Sequence, residues 1–192
     1  MKINRKDPSI VEFKKTLDLD FCEKIIFRFN RDKRVSEGSV VSDRGNVAID
    51  KSIRQTQILN LSYFEDWKQE DTVLFTSLSK HLSKYIEHVN KIFYCSPFYS
   101  DPCVDSGYQI QKTVAGGFYK WHVDAINNIV PMRKLTYMWY LNSCEEGCTE
   151  FVFGQKIKPE AGKLLIFPST WPYVHRGTPP KTTKYVCTGW LS

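Results

Sequence analysis

His122-Val123-Asp124 sets an imidazole and a carboxylate two residues apart inside the aromatic stretch "FYKWHVDAIN", residues 118–127. On a β-strand, positions i and i+2 project to the same face. Side by side, these two groups are two thirds of a two-histidine, one-carboxylate facial set, which holds Fe(II) and leaves positions open for a bidentate cosubstrate and O2. The third ligand has to come from elsewhere, and His175 is the one histidine downstream. It follows "GKLLIFPSTWPYV", which reads as a strand and a Pro-rich turn. Strands distant in sequence pair in a jelly roll, so His175 has a route to face His122 across the barrel mouth. The same residues also suit a bland reading, with His175 on a surface loop and His122 a hydrogen-bonded strand residue. The short motif alone does not choose.

The C-terminal strand adds weight to the first reading. In "TKYVCTGWL", Lys184, Val186, Thr188 and Trp190 alternate onto one face. An ammonium among core residues is costly unless an anion meets it, and an anionic cosubstrate would be one. In "KLTYMWYLN", Thr136, Met138 and Tyr140 share a face, and a tyrosine hydroxyl aimed into a barrel also wants a partner.

Positioning these residues is the task of the surrounding elements. Residues 18–30, "DLDFCEKIIFRFN", read as a helix capped by Asp18 or Asp20, with Phe21, Ile25 and Phe29 on one face. A second, longer helix is predicted over residues 65–93, with an apolar stripe from Val73 and Leu74 to Val89 and Phe93. His81 and His88 lie on it seven residues apart, about 10 Å along the axis, too far to share a metal ion. Between the helices, residues 31–57 have little periodicity and are expected to form a long, partly mobile connection, with Gly38 and Gly45 as hinges of a lid. "TQILNLS" reads as a short strand. After Pro97 and Pro102 the chain becomes a run of short strands, "GYQIQKTV", "FYKWHVD", "KLTYMWYLN", "TEFVF", "GKLLIFP" and "TKYVCTGWL", punctuated by turn residues. The expected fold is mostly β with flanking helices: a double-stranded β-helix (jelly-roll) core over 105–192, with helical support from 1–100, in one domain of 192 residues.

Composition narrows the function classes. Hydrophobic residues at 42% and charged residues at 25% are those of an ordinary globular protein. "MKINRKDPSI" has no apolar core for a signal peptide and no run is long and apolar enough for a membrane span, so a cytoplasmic location and no membrane partner are expected. The net charge of +6 is scattered, with a modest cluster at Arg28, Arg31, Lys33 and Arg34, and lacks the dense stripe of a nucleic-acid binder. The six cysteines form no CxxC pair; Cys144 and Cys148 could give half a zinc site, but free thiols are the expectation.

Taken in order, "HVD", "LTYMWYLN", "GCTEFVF", "GKLLIFPSTWPYVHRG" and Lys184, nine residues beyond His175, resemble the iron- and 2-oxoglutarate-dependent dioxygenases, specifically their prolyl 4-hydroxylase-like branch. The resemblance covers residues 105–192 well; the first helix and "IRQTQILNL", around Arg54, are similar only loosely. It implies Fe(II) on His122, Asp124 and His175, and 2-oxoglutarate held by Lys184 and Tyr140. It implies Thr188 and Trp190 as pocket lining and Arg54 near the substrate. The family often has a tyrosine upstream of the first histidine, beside the cosubstrate; Lys112 stands there, and Tyr119 is the candidate replacement. Gly147-Cys148 replaces a common Gly-Gly, which is tolerable unless the second position needs positive φ. The implied activity is hydroxylation of a prolyl residue in a peptide or protein, with O2 consumed, succinate and CO2 released, and ascorbate as reductant. The alternatives are another protein side chain, nucleic-acid bases, or a binding module with a degenerate site. The family's nucleic-acid dealkylases place arginines after the distal histidine, and none follows Arg176.

Overall fold

The computed structural model describes residues 7–42, 45–93, 103–125 and 133–192. In chain order these form β1 (Val11–Phe13), α1 (Leu19–Phe29), β2 (Ser36–Glu37), β3 (Val40–Val41), β4 (Val47–Ala48), β5 (Gln57–Asn60), α2 (Lys68–Phe93), β6 (Gln109–Thr113), β7 (Tyr119–His122), β8 (Leu135–Tyr140), β9 (Thr149–Phe151), β10 (Lys156–Ile157), β11 (Lys163–Pro168), β12 (His175–Gly177) and β13 (Lys184–Leu191). Short 3-10 turns at Leu61–Tyr63 and Glu65–Trp67 lead into α2.

Seven strands make a major antiparallel sheet in the order β1-β11-β8-β13-β6-β5-β2, and four make a minor sheet, β10-β9-β12-β7. Period-2 alternation gives the major sheet two different faces. Tyr137, Trp139, Leu164, Ile166, Tyr185 and Cys187 point to the helix side, where they join Cys22, Ile25 and Phe29 of α1 and Leu74, Leu78, Tyr85 and Val89 of α2 in one core. Tyr140, Leu165, Phe167 and Val186 point the other way and meet Phe151 and Ile157 of the minor sheet. This is the predicted jelly roll, with a dry filling at one end and space at the other.

The α1 face consists of Cys22, Ile25 and Phe29, whereas the predicted Phe21 is only partly buried. Asp18 takes the N-cap position without a side-chain bond. Glu70, fully buried at the start of α2, ties the helices together through Arg28 at 2.6 Å and Lys24 at 2.9 Å. Arg28 also lies over Trp67, and Arg34 pairs with Asp32 and Asp66, so two of the four cations of the basic cluster are engaged by the chain's own acids.

The expectation for residues 31–57 needs correcting. The described part carries β2 at the edge of the major sheet and the β3-β4 hairpin, so it is structured by backbone pairing that its polar sequence conceals. Gly45 sits in that hairpin's turn at φ +80. Gly38 is a point of close approach: a Cβ there would lie 2.4 Å from Thr56 Oγ1. The Pro97–Pro102 transition and the Asn127-Asn128 turn lie outside the described residues, as does Cys95; Cys22, Cys144, Cys148 and Cys187 are free thiols. None of the described helices is long and apolar enough to cross a membrane.

Candidate metal centre and cosubstrate pocket

β12 lies between β9 and β7, and its register sets His175 opposite His122. The two histidines are therefore neighbours on adjacent strands, closer than a span across the barrel mouth. Each ring is oriented by its own strand. His122 Nδ1 lies 2.7 Å from the Lys120 carbonyl and His175 Nδ1 lies 3.1 Å from that of Tyr173. A carbonyl only accepts, so each Nδ1 carries the proton and each Nε2 presents a lone pair. Those Nε2 atoms lie 3.6 and 3.8 Å from the Asp124 carboxylate.

Asp124 is reached differently from the strand argument. β7 ends at His122, and Asp124 follows in a bend fixed by its N–H donating to the Ser169 carbonyl at 3.2 Å. Thr136 Oγ1 donates to Asp124 Oδ2 at 2.6 Å and also meets Ser169 Oγ at 2.8 Å. The bend still brings one ligand atom from each of His122, Asp124 and His175 within 4.8 Å of the others, the one such group among the described residues.

The electrostatics suit a metal. Burial, reinforced by His175, pushes the His122 imidazole down to about 3, so it stays neutral. For Asp124 burial acts upward, but His175, His122 and the Thr136 hydroxyl outweigh it and hold the carboxyl below its ordinary value. Two imidazoles and one carboxylate, with one side open to a cavity of about 540 Å³, fit Fe(II) with free coordination positions.

Lys184 lines the same cavity with Val186, Thr188 and Trp190, as the strand phase predicts. It is 6% exposed, and its Nζ donates to the Gly147 carbonyl at 2.7 Å. Burial brings its ammonium down to about 8, opposed only by Cys144 and Cys148, and no carboxylate pairs with it among the described residues. Gly147 takes φ +83 while Cys148 has ordinary φ, which explains why the second position of that turn tolerates a side chain.

Residues 108–192 match the family described as the 2OG-Fe(II) oxygenase superfamily. The match covers 85 of the 192 residues and includes His122, Asp124, His175 and Lys184. A sequence comparison with curated proteins returns no match. Among solved structures, the chain is similar to a prolyl hydroxylase from Trichoplax adhaerens in complex with a hypoxia inducible factor oxygen degradation domain peptide fragment (TM-score 0.73, 18% identity, 96% of this chain and 83% of that one). It is also similar to the viral collagen prolyl hydroxylase of Paramecium bursaria Chlorella virus-1 in its 2OG complex (0.63, 18%, 95% of each chain). A Pseudomonas putida prolyl-4-hydroxylase is a third (0.65, 17%, 95% and 92%). At these identities the likeness establishes the fold.

The remaining predicted site residues fall in three places. Tyr119 stacks on His122 with ring centroids 3.6 Å apart, and Arg54 lies over the Tyr119 ring, so both border the metal centre. Thr188 faces the cavity but spends its hydroxyl proton on the Tyr137 carbonyl. Tyr140 is fully buried and lies one side chain behind the cavity wall. Its hydroxyl meets Thr149 Oγ1 at 2.6 Å, and Thr149 is the residue that reaches the cavity wall. Lys112 points outward to Asn30, because the inward phase of β6 belongs to Gln109, Gln111 and Thr113. That inward row, like Arg133 at the rim and Thr136 behind Asp124, is absent from the sequence-based list. The alternation in "YQIQKT" was the available signal for the β6 row; only the fold places Arg133.

Proposed function

We propose that this protein hydroxylates a prolyl residue in a peptide or protein, using Fe(II) and 2-oxoglutarate with ascorbate as reductant. The observation that carries the reading is the His122, Asp124 and His175 cluster opening onto the same cavity as a buried, acid-free Lys184. His122, Asp124 and His175 would hold the metal, and Lys184 would take the distal carboxylate of 2-oxoglutarate, with Thr149 beside it. Once bound, metal and cosubstrate supply the oxidising equivalents: 2-oxoglutarate and O2 go to succinate and CO2, and the second oxygen atom enters the substrate C–H bond. The protein fixes the ligand tautomers, keeps Asp124 ionised and lines the space above the metal with aromatic and polar side chains.

Prolyl specificity draws support from the three structural relatives named above, one of which holds a peptide. Exposed apolar side chains at the rim, Tyr63 and Val41, offer an extended peptide and its proline ring apolar contact. The segment 31–57 supplies Ser39 and Val41 to the cavity wall, which suits a cover over bound peptide. The test is incubation of Pro-containing peptides with the full chain, Fe(II), 2-oxoglutarate and ascorbate. Succinate release matched by gain of one oxygen on proline supports the reading; coupling only to other residues moves the target while leaving the chemistry in place.

A further inference from the structure

Arg54 is a second buried cation of the cavity, and the reaction as proposed gives it nothing to hold. It is 8% exposed and lines the cavity wall. Its partners are neutral: Nε donates to Thr56 Oγ1 at 2.7 Å, Nη1 to the Ser39 carbonyl at 2.9 Å and Nη2 to Gln109 Oε1 at 3.5 Å. A guanidinium has five N–H donors, so these contacts leave two. The acidic groups near it are the Tyr119 phenol, which burial keeps protonated, and Asp124, which belongs to the metal centre. Among the described residues no carboxylate pairs with it. The surrounding chain is shaped to keep it there, since a Cβ at Gly38 would come within 2.8 Å of Nε. Gln109 is itself fixed by donating to Asn60 Oδ1 at 2.8 Å and accepting from Gln111 Nε2 at 2.9 Å. Neutral amides thus solvate the cation without neutralising it, and a buried charge in that condition is costly.

The cosubstrate does not account for Arg54. Lys184 pairs with Thr113 at one end of β6, whereas Arg54 contacts Gln109, four residues along the same strand. At ~3.4 Å per residue these two β6 positions are about 14 Å apart, so the two cations meet opposite ends of the strand. Arg54 instead lies over Tyr119, whose ring stacks on His122, on the approach to the metal.

We propose that Arg54 is a substrate-recognition residue that takes a carboxylate, an Asp or Glu side chain close to the hydroxylated residue, so that the substrate is an acidic peptide. The inference rests on the peptide hydroxylase reading and narrows it. The net charge of +6 favours the same class of partner.

Matched fluorescent peptides test it. Each pair carries Asp or Asn at one position flanking proline, and binding to the full chain with Mn(II) and 2-oxoglutarate is read by anisotropy, alongside hydroxylation under turnover conditions. In at least one register the Asp peptide is expected to bind about 30-fold or more tightly than its Asn partner. Arg54→Gln should abolish that preference and Arg54→Lys should restore part of it. The peptide-side exchange needs no variant to fold. Equal binding of Asp and Asn partners in every register overturns the proposal. So does an Arg54→Gln variant that weakens both alike, or one that raises the 2-oxoglutarate requirement while keeping the preference. Competition by a single-stranded oligonucleotide in place of the acidic peptide would also overturn it. Repeating the pairs with Leu, Asn or Lys at the target position separates the two readings: an Asp preference there, with no proline hydroxylated, retains the Arg54 subsite and removes proline.

Discussion

Lys163 and Lys184 are both buried, at 2% and 6% exposure, on two strands of the same sheet. Lys163 is surrounded by acid, with Glu12 at 2.7 Å and Glu160 at 3.0 Å. Lys184 has the Gly147 carbonyl and no acid. The carboxylates divide likewise: Glu70 on the helix side is clasped by two cations, whereas Asp124 has two imidazoles beside it and neither a lysine nor an arginine in an ion pair. Burial alone therefore says little about function in this molecule. A buried charge whose counter-charge is already in the chain holds the fold together, and one whose counter-charge is missing marks where a ligand belongs.

The largest effect is expected at the carboxylates. Asp124→Ala should abolish succinate release and weaken metal binding by more than ~100-fold, beyond the usual cost of losing an indirect partner. Glu70→Gln should leave turnover per folded molecule intact and cost about 1–3 kcal/mol in urea unfolding, since its partners are part-exposed and rehydrate. Similar turnover losses in both variants would break the comparison.

The lysines come next. Lys184→Met is expected to raise the 2-oxoglutarate KM about 100-fold with little loss of stability, because it removes a buried charge that lacks an acid partner. Lys163→Met should do the reverse, leaving that KM unchanged and lowering stability by about 1–3 kcal/mol. A smaller change is expected behind the metal centre. Thr136→Val removes the hydroxyl that orients Asp124 and should weaken metal binding about 10-fold, measured by equilibrium titration.

The mildest test is pH. In the cosubstrate-free protein burial lowers Lys184 from its usual 10.5 to about 8. The ammonium is the form that attracts a dicarboxylate, so affinity is full below pH 8 and falls as pH rises through it. By pH 9 the loss should reach about tenfold, with one proton taken up on binding. Lys184→Arg should flatten that fall; a flat profile in the unaltered protein would show that Lys184 stays charged without help.

Much of this was legible in the residues. The inward phase of Lys184, Val186, Thr188 and Trp190 follows from alternation along one uninterrupted strand, and the jelly roll from the run of short strands. The same rule misleads where a strand stops: Asp124 reaches the metal site from a bend, and Tyr140 keeps the right phase but lies behind Thr149. Alternation gives the face of a residue and leaves its depth to three-dimensional packing. Residues 31–57 were illegible for another cause. Two-residue strands such as β2 and β3 carry too few side chains to show a period, and pairing with distant backbone defines them.

The brevity of β2 also bears on self-association. The seven-stranded sheet ends on β1, three residues long, and β2, two residues long. Both edges carry acid, Glu12 bound to Lys163 and Glu37 to Lys51. An open edge is a template for strand addition by another chain, and its danger grows with its length and apolar character. Here each rim offers a visiting strand only a few backbone hydrogen bonds, beside a charge. The aromatic-rich interior strands β8, β11 and β13, which would be the most adhesive, are each flanked on both sides and present no such edge.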